Sequence, residues 1–261
     1  MMWPTWKEIN QNMKYAVVTI ADDSRQAHVD MQLEGLKKWA QGTPHYRGYI
    51  DTDMNLARAR NEVAARAVAD GVELLIFLDA DCIPGPFLIP FYVEAARNWP
   101  DEVLCGPVTY LQEPDDRGYQ LDTLLELTNP HPARPNLPAG QSRLGTEEEW
   151  KLFWSLSFAM STSAWQDSGG FDEGYTGYGG EDTDFAFRLR AQGKKLRWVG
   201  GAHAYHQWHP VSSPPVEHLD DILANATRFH SIWGIWPMEG WLVAFAERGL
   251  VKRGDDGWVR T

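Results

Sequence analysis

Cysteine is scarce. Cys82 and Cys105 are the only two in 261 residues, and their spacing matches no zinc pattern. They read as small buried hydrophobes of a reducing compartment rather than parts of a disulfide framework. Positive charge is short as well: 24 Lys and Arg stand against 36 Asp and Glu, a net charge of −12, with no basic tract. Such a field attracts neither nucleic acid nor an anionic membrane surface. A phosphate-bearing ligand would then need a metal or a few local arginines. No apolar run reaches the length of a membrane span, and Met1-Met2-Trp3-Pro4-Thr5-Trp6 does not have the character of a signal peptide. A cytoplasmic protein is expected. Internal repeats and low-complexity tracts are missing too. Tryptophan, by contrast, is plentiful: 13 residues, many in the second half, which would fill core volume or line a ring-binding cleft.

The most informative stretch is Leu78-Asp79-Ala80-Asp81, which follows the apolar run Glu73-Leu74-Leu75-Ile76-Phe77-Leu78. That run predicts a buried strand, with a Gly upstream and a Pro-Gly turn downstream. Alternation along a strand would point Asp79 and Asp81 the same way. Two like charges so placed repel unless a cation holds them, and a divalent metal carrying nucleotide phosphates answers that need. A pair of solvated turn carboxylates is the plainer alternative.

Around this motif, short β-branched runs alternate with helical patterns. A strand is expected at 15–20, a helix to about residue 40, a strand at 46–50 and an alanine-rich helix over 55–70, capped by Thr52 or Asp53. After the Asp79–Asp81 strand come a helix over 86–98 and a strand at 103–110. Strands separated by helices indicate an α/β fold with a mostly parallel sheet flanked by helices, whose ligands sit at the carboxyl ends of the strands. The turn after Ile20, Asp51 and the Asp79–Asp81 pair all fall at such ends. Residues 112–149, rich in proline and acid, predict a long irregular segment with a short helix near 121–127, and Thr146-Glu147-Glu148-Glu149 has capping-box spacing.

A second constellation is Gly177-Tyr178-Gly179-Gly180-Glu181-Asp182-Thr183-Asp184, leading into an amphipathic helix over 181–192. Favourable interaction with the helix dipole explains one acidic residue there well and three poorly. A glycine-hinged loop delivering a carboxylate to a pocket suits a general base. A third is His203-Ala204-Tyr205-His206-Gln207-Trp208-His209, after a strand at 195–199. Of these imidazoles, His206 with His209, or His203 with His209, would share a metal with an acidic residue.

Together these motifs resemble a known family. Asp79-Ala80-Asp81 resembles the DxD of metal-dependent glycosyltransferases of the GT-A fold. Asn55-Leu56-Ala57-Arg58-Ala59-Arg60-Asn61 is similar to the Ala-x-x-Arg-Asn helix start of family-2 members. The glycine block is similar to the Gly-Trp-Gly-Gly-Glu-Asp-x-Asp segment of β-1,4-galactosyltransferases and to the corresponding part of polypeptide N-acetylgalactosaminyltransferases. Tyr178 stands where the galactosyltransferases carry Trp, a departure that bears on donor or acceptor preference.

The resemblance implies a GT-A (Rossmann-like) catalytic domain over residues 1–210 and an inverting, metal-dependent transfer of a sugar of galactose or N-acetylgalactosamine type. The donor would be a UDP-sugar and the acceptor a hydroxyl of a glycan or other molecule. Asp81, His206, Asp79 and His209 would hold Mn²⁺ or Mg²⁺. Thr19, Ala21, Asp51, Arg60, Asp79 and Asp81 would meet the nucleotide. Asp182 would be the base, Glu181 an acceptor- or sugar-binding carboxylate, and Tyr178, Gly179 and Gly180 the acceptor-side loop. Residues 211–261 match no catalytic motif and predict a helical, Trp-rich extension: a packed cap, an acceptor platform or a partner surface. Two alternatives stand beside the transferase. One is a nucleotidyltransferase, which the acidic turn after the first strand disfavours. The other is a non-catalytic glycan- or partner-binding domain, which the full set of acidic and histidine residues disfavours.

Overall fold

The computed structural model describes residues 13–51, 54–254 and 257–261. Its first half alternates as the sequence predicts: β1 (Tyr15–Ala21), α1 (Gln26–Trp39), β2 (His45–Tyr49), α2 (Leu56–Ala69), β3 (Leu74–Leu78), a short β4 (Cys82–Pro84) and α3 (Leu88–Asn98). Strands β5 (Val103–Cys105) and β6 (Val108–Tyr110) follow, then β7 (Ser142–Leu144), β8 (Ser157–Ser161), α4 (Thr162–Ser168), α5 (Glu181–Ala191), β9 (Leu196–Val199) and β10 (Ala204–His206). The chain ends in α6 (Leu219–Trp233), α7 (Glu239–Glu247) and the hairpin β11 (Val251–Gly254) and β12 (Gly257–Arg260).

Among the described residues the main sheet has seven strands in the order β2-β1-β3-β8-β5-β9-β7. It is mixed rather than mostly parallel. Strands β1, β2 and β3 run parallel, as do β5 and β9, but β8 is antiparallel to both β3 and β5, and β7 is antiparallel to β9. The sequence Ser157-Phe158-Ala159-Met160-Ser161 had drawn no strand expectation. Its small serine ends hide a core strand whose Phe158, Ala159 and Met160 are wholly buried. Apolar faces cover both sides of the sheet. Phe77, Phe158, Trp165, Phe171 and Phe185 pack on one, with Phe77 and Phe158 stacked at 4.4 Å. Leu36, Leu74, Ile76, Leu78, Tyr92 and Leu104 pack on the other. Burial on that scale is the main stabilising term.

Several boundaries differ for local reasons. Asn55, and not a residue before it, caps α2 by accepting a hydrogen bond from Arg58 N at 2.8 Å; Thr52 and Asp53 lie outside the described residues. The strand expected over 103–110 breaks at Gly106-Pro107, so that β5 stays in the main sheet while β6 joins β4 and β10 in a second, three-stranded sheet. A Cβ at Gly106 would meet the carbonyl of Ala202, so only glycine lets these backbones approach. The helix near 121–127 is a 3₁₀ turn, Leu124–Leu127. Half of the capping box forms, with Thr146 N donating to Glu149 Oε2 at 2.8 Å. The C-terminal extension is helical, as expected, but closes with the β11–β12 hairpin. No helix among the described residues is long and apolar enough to cross a membrane.

Two histidines serve the fold from inside. His203 lies 2.8 Å from Thr109 Oγ1, and burial pushes its imidazole down to about 4. His45 approaches Thr19 Oγ1 at 3.1 Å and Gln32 Oε1 at 3.2 Å, and burial, helped by Arg47, lowers it likewise to about 4. Both lie below the unfolded value of about 6.5, so the unfolded chain binds more protons between pH 6.5 and 4. Stability is therefore full above pH 6.5 and falls as pH drops toward 4, by on the order of 3 kcal/mol per histidine. Urea denaturation at pH 7.5 and 4.5 checks this: His203→Gln and His45→Gln should each flatten the pH slope, and unchanged slopes would refute the assignment.

Candidate active site

The site is assembled by α2. Arg60, 5% exposed, projects from this helix and places Nη1 3.0 Å from Glu181 Oε1 and Nη2 3.3 Å from Asp79 Oδ1. One guanidinium thus joins the end of β3 to the first turn of α5. Burial opposes its charge, but Asp79 and Glu181 outweigh that and raise its pKa. Burial also raises both carboxyls, with Asp81 adding to the effect on Asp79 and Asp182 to that on Glu181, while Arg60 pulls each back. The neighbouring Asn61 accepts from Phe171 N at 2.8 Å and donates to Phe171 O at 2.9 Å. The loop leading to the glycines is therefore fixed by the same helix.

A cleft of about 530 Å³ opens over this bridge, lined by Arg60, Asp79, Tyr178, Gly179, Gly180, Glu181 and Asp182. Asp182 Oδ1 accepts from Thr183 N at 2.6 Å, which leaves its carboxylate held at the N-terminus of α5. Gly177, Gly179 and Gly180 all have φ between 68° and 93°, the left-handed region. A side chain on Gly177 would collide with the Asp221 carboxylate, and one on Gly179 would come within 2.9 Å of Met238 Sδ. Asn225 of α6 donates to the carbonyls of Thr176 at 2.9 Å and Gly179 at 2.8 Å. The loop expected to be a hinge is pinned.

At the other side of the β3 turn lies the candidate metal centre. Asp81, His206 and His209 bring one donor atom each within 4.8 Å of one another, the one such cluster among the described residues. His206 Nε2 is 3.5 Å from Asp81 Oδ1 and His209 Nε2 is 3.4 Å from Asp81 Oδ2. These separations exceed a good charge-assisted hydrogen bond and suit two ligands about 2 Å from a shared ion. Burial opposes ionisation of Asp81, but His209, His206 and Arg25 outweigh it and hold the carboxyl at about 2. Burial lowers His206, leaving it neutral and able to ligate. The mixed carboxylate and imidazole set fits a first-row divalent ion such as Mn²⁺ better than one that takes oxygen alone.

Other expected residues fall elsewhere. Asp79 pairs with Arg60 instead of joining the histidines. His203 is apart, bonded to Thr109. Thr19, 1% exposed, faces inward, with its hydroxyl 3.0 Å from Leu78 O and 2.9 Å from Gln32 Oε1, because a β-branched residue in a core strand must bury its polar atom against partners. Ala21 is also fully buried. Asp51 is exposed and lines a separate hollow with Tyr49, Asn55 and Arg58. Sequence reasoning missed Asn225, Met238, and Gln207, whose backbone N–H donates to Asp81 O at 2.7 Å. Asn225 and Met238 fall in no motif, and Gln207, though inside the histidine stretch, acts through its backbone; the partners of all three are distant in the chain.

With this geometry in hand, comparison with known proteins is direct. The family model for glycosyl transferase family 2 matches residues 5–163, more than half of the chain. The chain belongs to glycosyl transferase family 2. A second model, described as the N-terminal domain of galactosyltransferase, matches residues 137–210. The family-2 match thus contains Arg60, Asp79 and Asp81, and the other contains Glu181, Asp182, His206 and His209. Among curated relatives, chondroitin synthase of Pasteurella multocida (strain Pm70) is 27% identical over 224 residues, covering 77% of this chain and 23% of that protein. Validoxylamine A glucosyltransferase of Streptomyces hygroscopicus subsp. jinggangensis (strain 5008) is 31% identical over 159 residues, 55% of this chain and 37% of that one. The chain therefore spans well under half of these relatives' length. In fold it is similar to S. aureus TarS 1-349 in complex with UDP-GlcNAc, with a TM-score of 0.56 and 11% identity, covering 88% of this chain and 66% of that one.

Removing the central cation tests how the site is held. Arg60→Met strands the buried Glu181 carboxylate and the partly exposed Asp79 carboxylate and should cost about 3 kcal/mol near neutral pH. The loss should shrink at pH 5, where the stranded groups take up protons. Denaturant midpoints at pH 7.5 and 5 measure this, and a loss under about 1 kcal/mol at both would show the bridge to be unimportant.

Proposed function

We propose that the protein is an inverting, metal-dependent glycosyltransferase that moves a sugar from a UDP-sugar to a hydroxyl acceptor. The observation that carries the reading is the Arg60 bridge, which sets the metal-side turn at Asp79 and the carboxylate pair Glu181–Asp182 in one rigid cleft. Family-2 membership supports a glycosyltransferase over a nucleotidyltransferase. The uridine choice draws on the fold neighbour solved with UDP-GlcNAc, and the galactose or N-acetylgalactosamine type on the galactosyltransferase match over 137–210.

Asp81, His206 and His209 would hold the ion, with Mn²⁺ our choice. A bound divalent ion neutralises the negative charge that grows on the leaving diphosphate. The remaining work belongs to the chain. Asp182 accepts the proton of the acceptor hydroxyl as that oxygen attacks the anomeric carbon from the face opposite the diphosphate, and configuration inverts. Such base catalysis contributes about 10²–10⁴-fold. Glu181, fixed by Arg60, hydrogen-bonds a sugar hydroxyl beside it. The pinned glycine loop roofs the reacting atoms and limits water, which otherwise hydrolyses the donor.

Asp182→Asn should lower turnover by about 10²-fold or more, with UDP affinity in the presence of Mn²⁺ within about twofold of wild type. Asp81→Ala should abolish the difference between UDP binding with Mn²⁺ and with chelator. Calorimetric titration of UDP and GDP with each variant, alongside turnover, decides the matter. Near-wild-type turnover by Asp182→Asn refutes the base, and metal-independent nucleotide binding by the wild type refutes the metal centre. No nucleotide binding at all by folded protein favours the non-catalytic alternative.

A further inference from the structure

We infer that the C-terminal extension forms the acceptor subsite and that this subsite takes an uncharged pyranose ring. The inference rests on the transferase reading and adds to it the class of acceptor. The wall of the cleft facing Glu181 and Asp182 is built by Trp236, Met238 and Trp241. All three lie beyond residue 210, outside the regions matched by either family model. Whatever this wall selects is therefore a property of this chain and not of the matched segments.

The wall is held firmly. Besides the Asn225 bonds, Asp221 Oδ2 accepts from Tyr178 N at 3.3 Å, and the Tyr178 ring stacks on His218 at 4.5 Å and lies 6.0 Å from Trp241. Trp236 stacks on His230 at 4.1 Å. Met238 adopts φ 49°, a left-handed conformation that is strained for a non-glycine residue. Its carbonyl accepts from Trp241 N at 2.9 Å and Leu242 N at 3.2 Å, so the strained residue starts α7 and aims its thioether at Gly179.

Chemistry then narrows the occupant. Indole side chains beside carboxylates match a ring with one C–H face and a rim of hydroxyls: the apolar body packs on aromatics while a few polar groups fix orientation. The charge balance favours a neutral ring over an acidic one. Asp79, Glu181 and Asp182 line the cleft with a single buried guanidinium between them, and the lysine at its edge, Lys151, is already paired with Glu148 at 2.6 Å. A carboxylate or phosphate on the acceptor would meet three carboxylates and, among the described residues lining the cleft, only Arg60, held by Asp79 and Glu181, and Lys151, which would have to leave Glu148.

Saturation-transfer NMR tests this on the full chain, with and without UDP and Mn²⁺. The probes are methyl β-glucopyranoside, methyl β-galactopyranoside, methyl β-glucuronide and glycerol. At least one neutral pyranoside should bind, tenfold or more tightly than the glucuronide, which differs from the glucoside by a single carboxylate; glycerol, which has no ring, should not bind. Trp241→Ala and, separately, Trp236→Ala should weaken that binding at least tenfold while the calorimetric UDP affinity stays within twofold, and Trp241→Phe should recover most of it. Equal or tighter binding of the glucuronide, no binding of either neutral ring, or indifference to both alanine variants would overturn the inference. Failure of UDP to bind with Mn²⁺ would instead refute the transferase reading, and the saccharide titrations without nucleotide keep the two outcomes separate.

Discussion

Everything at this site depends on one buried cation. A guanidinium taken out of water is tolerated only with partners, and Arg60 has two, Asp79 and Glu181, drawn from segments far apart in the chain. Glu181, 9% exposed, is in turn tolerable inside because Arg60 is there, while Asp79, 31% exposed, keeps part of its hydration. The mutual dependence fixes the distance between the turn after β3 and the start of α5 more firmly than packing would, since a gap in an ion triad leaves bare charge while a gap among methyl groups leaves only a cavity. The same helix carries Asn61, which holds the backbone of Phe171 through both its N–H and its carbonyl. A side chain on Gly170 would come within 2.6 Å of Asn61 Oδ1, so that glycine lets this approach happen.

How much of this was legible follows from how far each signal reaches. Local signals were sound where they stayed local: the strand at Leu74–Leu78, the helix beginning at Glu181 and the strand at Leu196–Val199 stand where periodicity and punctuation put them, but the strand stops before Asp79, and Asp79 and Asp81, expected to point the same way, take different partners, Arg60 and the two histidines. The α/β class and the family were legible for the same reason. Signals that live in a partner were not. The family resemblance assigns Thr19 to the nucleotide, and its hydroxyl is bonded to Gln32 and Leu78, residues that no local pattern links to it. Strand β8 carries no alternation because both its faces are buried, and a strand of that kind is silent to periodicity. Asn225 looks like any polar residue of an amphipathic helix; it becomes legible only when the carbonyls of Thr176 and Gly179 arrive beside it.

The histidines show burial deciding role. His203, His206 and His209 lie within one short stretch, and sequence alone left their division open. Burial keeps both His203 and His206 neutral, but only His206 shares its surroundings with a carboxylate. A neutral imidazole facing Asp81 has the chemistry of a candidate ligand, whereas one facing the Thr109 hydroxyl is a satisfied piece of the interior. In a protein of net charge −12, the proposed ion would also be a compact way to meet a diphosphate: a cation concentrated at one point does what dispersed lysines would do elsewhere.

The glycine block invites a reading as a moving lid, and the contacts argue against it. Positive φ at Gly177, Gly179 and Gly180 is required by the path of the chain, and Asp221 and Met238 occupy the space that side chains at Gly177 and Gly179 would need. The carbonyls of the loop are already taken by Asn225. Glycine here serves close approach, not motion. A loop pinned in this way presents Glu181 and Asp182 pre-organised, and pre-organised charge stabilises a transition state without first rearranging. The segment that pins the loop is the one that supplies Trp236 and Trp241 to the cleft. On the proposed reading, changes in the C-terminal extension that alter which acceptor fits would therefore also move Asp182, and this coupling would tie acceptor choice to turnover.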